Sequence, residues 1–183
     1  MIINFNPFPV LSTVRLVLRQ LKNEDAADLF VLRSNPALMK YIPRPIAKTV
    51  EDASAVIDMI NGFIANNQSI NWAITLKEED KVIGMIGYVK ISPENFRAEI
   101  GYMLHSDYHG KKIAEEALKA VVDFGFIQLK LHSIEAIVHP DNIASMKLLL
   151  KNNFEKEGYF RHFQFFEGKF IDAAIFSQLT PTI

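Results

Sequence analysis

EIGYML at residues 99–104, followed by HSDYHGKKIAEEALKAVVDFGF at residues 105–126, is the stretch on which the reading of this chain turns. The first piece reads as a buried strand and the second as a short turn leading into a long helix. Ile113, Ala114, Ala117, Leu118, Val121, Val122 and Phe124 recur at helical spacing and make a wide apolar stripe. Lys111, Lys112, Glu115, Glu116, Lys119 and Asp123 face away, with Lys111–Glu115 and Lys112–Glu116 spaced for (i, i+4) ion pairs. The first N–H groups of any helix lack intrahelical partners, and the helix dipole is positive at that end, so a strand-turn-helix junction suits phosphate. Here the junction carries His109-Gly110-Lys111-Lys112: a glycine that lets backbone approach a ligand, and two cations.

Outward from this stretch, the texture divides the chain. Residues 1–11 carry two prolines and read as an irregular arm, and TVRLVLRQ (13–20) alternates as a strand. Asn23 opens a helix with Glu24 and Asp25 in its first turn. Residues 34–45 hold three prolines and form a loop, with one helical turn at 37–41. Thr49 opens a second helix, and Asp52 three residues on fits a capping box. Then come strands at 69–76, 81–91 and 96–104, the helix at 110–129, and a strand at 133–139. Pro140-Asp141-Asn142 caps a helix over 144–151, and 154–166 with 169–179 close the chain as a hairpin turning at Glu167-Gly168. The order predicts an α/β (α+β) fold: one mixed, mostly antiparallel central sheet of about seven strands, flanked by helices. One strand-helix-strand crossover implies a locally parallel pair. No repeat or linker interrupts residues 1–183, which read as a single domain.

Composition narrows the function classes. Lys and Arg number 20 against 21 Asp and Glu, a balance that argues against a nucleic-acid or membrane-surface binder. Without cysteine there is no disulfide framework, thiolate metal site or Cys nucleophile. His105 and His109 have metal-ligand spacing but straddle a turn, so no metal is expected. The N-terminus lacks the pattern of a secretory signal and no apolar run reaches membrane-spanning length, so a cytoplasmic protein is expected, a monomer or homodimer.

Several pieces recur in a shared order: Arg15-Leu16-Val17-Leu18-Arg19, Ile83-Gly84-Met85-Ile86-Gly87, Glu99-Ile100-Gly101-Tyr102, Tyr108-His109-Gly110-Lys111, Asn142-Ile143-Ala144-Ser145, and Asn153-Phe154 with Glu157-Gly158. In that order they resemble the GNAT superfamily of N-acetyltransferases, most closely the ribosomal-protein alanine/serine (RimJ/RimL-type) branch. The resemblance implies acetyl-CoA as co-substrate and a primary amine as acceptor. That amine would be a protein N-terminus, or alternatively a small amine such as a polyamine or an aminoglycoside-like compound. A catalytically weak CoA-binding interaction domain is the remaining alternative. The resemblance also implies a splayed pair of central strands, 96–104 and 133–139, admitting the pantetheine arm. The pyrophosphate would rest on backbone N–H groups of His109, Gly110, Lys111, Lys112, Ile113 and Ala114. Met103 and Leu104 would bond the arm through their backbone, and Asn142 would contact it.

Two positions depart from the family pattern. Lys112 stands where the family has glycine, so the loop there must take φ < 0 or be strained. Leu149 stands where many members carry a tyrosine general acid, whereas Ser145 follows the Rim-type branch. Glu99, the acid in the strand nearest the expected thioester, is the candidate base or amine contact, with pairing to Arg97 or Arg161 as the structural alternative. An α-amino group titrates near ~8, so a weak base suffices. Ser145 would hydrogen-bond the departing thiolate, or stand as an ordinary first-turn serine. Trp72 and Tyr102 read first as core. Tyr41 and Pro43, with Ile42 and Arg44, are candidates for the acceptor wall, and Tyr102 joins them as a substrate-pocket candidate. His162, Gln164 and Tyr159 face either that pocket or solvent.

Overall fold

Alternating apolar stretches become strands and the 3.6-period stretches become helices, as the computed structural model describes over residues 3–180. The strands are β1 (Leu11–Ser12), β2 (Leu16–Arg19), β3 (Ile70–Leu76), β4 (Glu79–Ser92), β5 (Arg97–Leu104), β6 (Ser133–Val138), β7 (Glu155–Phe166) and β8 (Lys169–Leu179). They form one sheet in the order β1-β2-β3-β4-β5-β6-β8-β7, in which β5–β6 is the parallel pair. The helices are α1 (Ala26–Arg33), α2 (Pro36–Met39), α3 (Val50–Ala65), α4 (Ile113–Ile127) and α5 (Ile143–Lys151). The sheet therefore has eight strands where about seven are expected. The extra one is β1, two residues of the proline-bearing arm paired with Val17 and Leu18.

Thr49 caps α3 with the full capping box: its hydroxyl accepts from the Asp52 amide, and the Asp52 carboxylate accepts from the Thr49 amide. At Asn23 the outcome differs, because 23–25 is a 3₁₀ turn ahead of α1. Its Asp25 is buried in a bidentate pair with Arg19 of β2, at 2.7 and 2.8 Å. Trp72, Tyr88 and Phe124 pack edge to face in the centre of the core. The Trp72 indole donates to the Pro9 carbonyl and the Tyr88 hydroxyl to the Val121 carbonyl of α4, so both buried rings are satisfied. Gly87 is required by close approach: a Cβ there would run into the Ile70 carbonyl on β3.

The feature that shapes the site lies between β5 and β6. They pair only at Arg97–Ser133, Ala98–Ile134 and Glu99–Glu135. Beyond Glu99, β5 runs on to Leu104 and β6 to Val138 with no pairing between them, so the central strands diverge. The expected splay is present. Its neighbour β4 carries a bulge between Tyr88 and Lys90, opposite the point where the splay begins.

Candidate active site

The divergence exposes one backbone edge of β5. The His105 amide donates to the Ile83 carbonyl of β4 at 2.8 Å. Backbone groups alternate along a strand, and Met103 pairs opposite Met85, so Met103 turns its N–H and C=O toward β4. Tyr102 and Leu104 turn theirs into the gap. Of the two positions expected to bond an extended ligand, Leu104 therefore has the right orientation and Met103 does not.

After β5 the chain makes a 3₁₀ turn at Ser106–Tyr108 and then a bend before α4. The His109 amide donates to the Ser106 carbonyl at 3.0 Å, which removes it from the expected set of free N–H groups. Its ring instead holds the Leu104 carbonyl at 2.8 Å and pins the turn to the end of β5. From Gly110 to Glu115, no backbone N–H among the described residues meets an acceptor, so Gly110, Lys111, Lys112, Ile113 and Ala114 all keep free donors. Gly110 has φ +73° and Lys112 φ +60°. The loop thus keeps the left-handed conformation at Lys112 although a side chain is present, which is the strained one of the two expected alternatives.

The two lysines are not paired along the helix. Glu115 bonds Lys119 and Lys151, at 3.1 and 2.6 Å, and these ammonium groups hold its carboxyl down at about 2. Glu116 accepts from the Thr13 hydroxyl at 2.6 Å, the Arg15 amide at 2.9 Å and the Arg15 guanidinium at 2.7 Å. The Arg15 guanidinium also donates to the Lys111 carbonyl at 3.0 Å. Both expected (i, i+4) pairs are absent: Lys119, one turn further along the same helix, and Lys151 of α5 hold Glu115, and Thr13 and Arg15 hold Glu116. Lys111 lies over the Tyr108 ring, 5.5 Å from its centroid.

Glu99 sits half-buried where the splay begins, with Lys90 and Glu135 in register on either side. Burial, reinforced by the Glu135 charge, pushes its carboxyl above the ordinary range, against the pull of Lys90 and Arg44. The alternative pairing with Arg97 does not form, since Arg97 bonds Glu135 at 2.8 Å. Side chains alternate across a strand, so Glu99 and Tyr102 lie on opposite faces of β5. On the Tyr102 face stands the start of α5. Asn142 caps that helix by accepting from the Ser145 amide at 3.1 Å, and the Ser145 hydroxyl lies 2.7 Å from the Tyr102 hydroxyl. Sequence reasoning placed these two residues separately; their spacing of 43 positions carried no signal of the contact.

A cleft opens beside α2 and the loop after it, lined by Met39, Lys40, Tyr41, Ile42, Pro43 and Arg44, with His139 from the end of β6. The β7–β8 hairpin closes it with Phe166, Glu167 and Ile171. Tyr41 and Pro43 are in this wall, and the Tyr41 ring packs on His139, 5.1 Å between centroids. Tyr102 is not in it. His162, Gln164 and Tyr159 are also outside: His162 stacks on Phe170 at a bulge, and the Tyr159 hydroxyl bonds Asp172. Among the described residues no group of three or more His, Cys, Asp or Glu is placed to hold a metal.

Residues 15–155 match the family model for the acetyltransferase (GNAT) domain. An uncharacterized N-acetyltransferase of Bacillus licheniformis is 41% identical over 92% of this chain and 95% of its own length. A ribosomal-protein alanine N-acetyltransferase of Escherichia coli is 28% identical over 93% of this chain and 91% of its own. A spermidine N(1)-acetyltransferase of the same species is 27% identical over 85% and 81%. The crystal structure of a GNAT-family acetyltransferase from Bacillus anthracis superposes with TM-score 0.84 at 27% identity, covering 94% of this chain and 99% of that one. A RimL ribosomal α-N-protein acetyltransferase in complex with coenzyme A shares the fold, with TM-score 0.84 at 19% identity over 93% of this chain and 98% of that one. With its diverging central strands, its unpartnered N–H turn and a domain match over most of its length, the chain belongs to the GNAT family of acetyl-CoA-dependent N-acetyltransferases.

Proposed function

We propose that this enzyme acetylates the N-terminal amine of a protein, holding the diphosphate of acetyl-CoA on the amides of Gly110 to Glu115. The observation that carries this reading is the run of free N–H donors ending beside the β5–β6 gap. Backbone donors at a helix N-terminus suit a diphosphate, and Lys111 and Lys112 add charge without being committed to a carboxylate. The exposed edge of β5 at Tyr102 and Leu104 then offers amide groups to the pantetheine arm, which ends where the strands begin to part. Asn142 uses its side-chain carbonyl as a helix cap and keeps its NH₂ for the arm.

The two faces of β5 divide the chemistry. Glu99, on the side of Arg44 and the acceptor cleft, accepts the proton that the amine loses as it attacks the thioester carbonyl. Burial and the Glu135 charge raise its basicity, which suits it to accept a proton from the attacking amine. Ser145, on the other face, meets the departing sulfur. The cleft presents Lys40 and Arg44 beside Glu167 and so lacks the acidic cluster that would attract a polycation, which supports an N-terminal amine over a polyamine. A polyamine acceptor is the second reading, supported by the spermidine enzyme among the relatives. Thiol release from acetyl-CoA, screened over N-terminal peptides, spermidine and aminoglycosides with mass spectrometry of the products, tests the choice. Turnover confined to spermidine overturns the protein N-terminus.

A further inference from the structure

We propose that Tyr102 is a positioning residue that aims the Ser145 hydroxyl at the leaving sulfur, an inference that rests on the acetyl-transfer reading above. The two hydroxyls lie 2.7 Å apart, across the junction of β5 and α5. Either hydroxyl can donate across this contact; a phenol is the more acidic of the two, so the shared proton is assigned to Tyr102 and the Ser145 oxygen is the acceptor. Burial, partly offset by the Ser145 contact, pushes the phenol up to about 12, so it stays protonated throughout the working range.

Filling the Ser145 lone pair in this way has a directional consequence. The serine must send its own proton elsewhere, and among the described residues its hydroxyl has no second partner. A first-turn serine ordinarily spends that hydroxyl on nearby backbone. Here the local amide is already satisfied by Asn142, at 3.1 Å, and Tyr102 is the one partner of the hydroxyl among the described residues. Tyr102 itself stands on the strand edge that borders the gap. Leu149, at the position where a helix tyrosine would stand, is apolar and fully buried, so the phenol at this junction comes from the strand instead.

The balance is simple. The amine nitrogen forms the new C–N bond, the C–S bond breaks, and its electron pair leaves on sulfur as thiolate. The amine proton goes to Glu99 and on to solvent. Ser145 donates a hydrogen bond to the thiolate while Tyr102 donates to Ser145; no proton crosses from Tyr102.

Three variants test this: Tyr102→Phe, Ser145→Ala and the pair together. Tyr102→Phe is expected to lower kcat about tenfold, the size of one oriented hydrogen bond, with the KM for acetyl-CoA unchanged. Ser145→Ala should match it, and the double variant should be no slower than Ser145→Ala alone. A second readout needs no turnover: the thiol pKa of bound CoA, followed by thiolate absorbance, should rise by about one unit in both single variants relative to wild type. Multiplicative rate losses in the double variant, a parallel rise in KM, or an unmoved thiol pKa in Tyr102→Phe overturns the positioning role. A wild type that binds CoA with a lowered thiol pKa yet releases no thiol with any amine overturns the transferase reading and leaves the Tyr102–Ser145 pair standing.

Discussion

Gly110 and Lys112 bracket the turn ahead of α4, both at positive φ, and they reach that conformation at different expense. Gly110 adopts φ +73° without penalty, and a Cβ there would meet nothing within 4 Å. A β-branched residue is excluded by the backbone and not by crowding. Gly110→Val should therefore reshape the turn, weaken CoA binding at least tenfold and lower Tm by a few degrees while the fold is kept; calorimetry reads the loss of binding and a melting curve the loss of stability. Lys112 holds the left-handed region with a side chain, at roughly 1–2 kcal/mol. Lys112→Gly should raise Tm by a few degrees. Lys112→Ala keeps the strain and deletes the charge, so it should weaken CoA several-fold, and more at low salt than at high salt. Glu99 shows the same tension between stability and use. Its carboxyl is held above its ordinary value by burial first and then by Glu135, so the folded protein binds its proton more tightly than the unfolded chain does. That contribution stabilises at low pH and is lost as pH rises through the folded value. Glu99→Gln is thus expected to hold or raise Tm at neutral pH. It should slow turnover most between the pKa of Glu99 and that of the amine, and least at high pH where the amine is already neutral. A rate loss that does not vary with pH would count against a base.

At the scale of elements, α4 is anchored by its first turn. Sequence spacing marks Glu116 as the partner of Lys112, yet it reaches across to β2 and collects three donors from Thr13 and Arg15. The Arg15-Leu16-Val17-Leu18-Arg19 motif is explained by this tie at one end and by the buried Arg19–Asp25 pair at the other. The Glu116 tie leaves no trace in local periodicity, because its partners are 101 and 103 residues away. The Arg19–Asp25 pair, six residues apart, joins a strand to a 3₁₀ turn and follows neither helical nor strand spacing. The helix itself was legible, since its apolar stripe at 3.6 spacing is a local property. Glu116→Ala removes charge-assisted hydrogen bonds worth about 2 kcal/mol together. Tm should fall by about 4–8 °C for a chain of this size. CoA affinity should fall as well, because the same tie holds the Lys111 carbonyl and orients the free amides. Partial burial pushes the Glu116 carboxyl up, but the Thr13 and Arg15 bonds outweigh it and hold the group below its ordinary 4.5. The stabilisation is therefore present above that pH and is lost as pH falls, and the wild-type and Glu116→Ala melting curves should converge in acid.

Across the whole molecule, strands β1 to β5 and strands β6 to β8 join through three residue pairs before the sheet parts. Sequence reasoning reached this division through the single crossover and the family resemblance, and it located the turn that faces the gap. It did not reach which amides are free, because that depends on backbone alternation set by the β4 register, one residue of slip exchanging the two edges. The same alternation makes the last prediction sharp. Amides of Tyr102 and Leu104 face the gap, and those of Gly110 to Glu115 have no acceptor, so all should exchange hydrogen quickly in the free protein. Met103 and His105 point into the β4 ladder and should exchange slowly whether or not ligand is present. Saturating CoA should protect the first group by a large factor and leave the second unchanged. It should also add about 2.7 kcal/mol of stability at a hundredfold excess over Kd, by linkage. A coenzyme that docked on the outer surface would raise Tm equally but would leave Tyr102 and Leu104 exchanging as before. Protection at those two amides, with none gained at Met103, is the pattern produced only by a ligand lying along the exposed edge of β5.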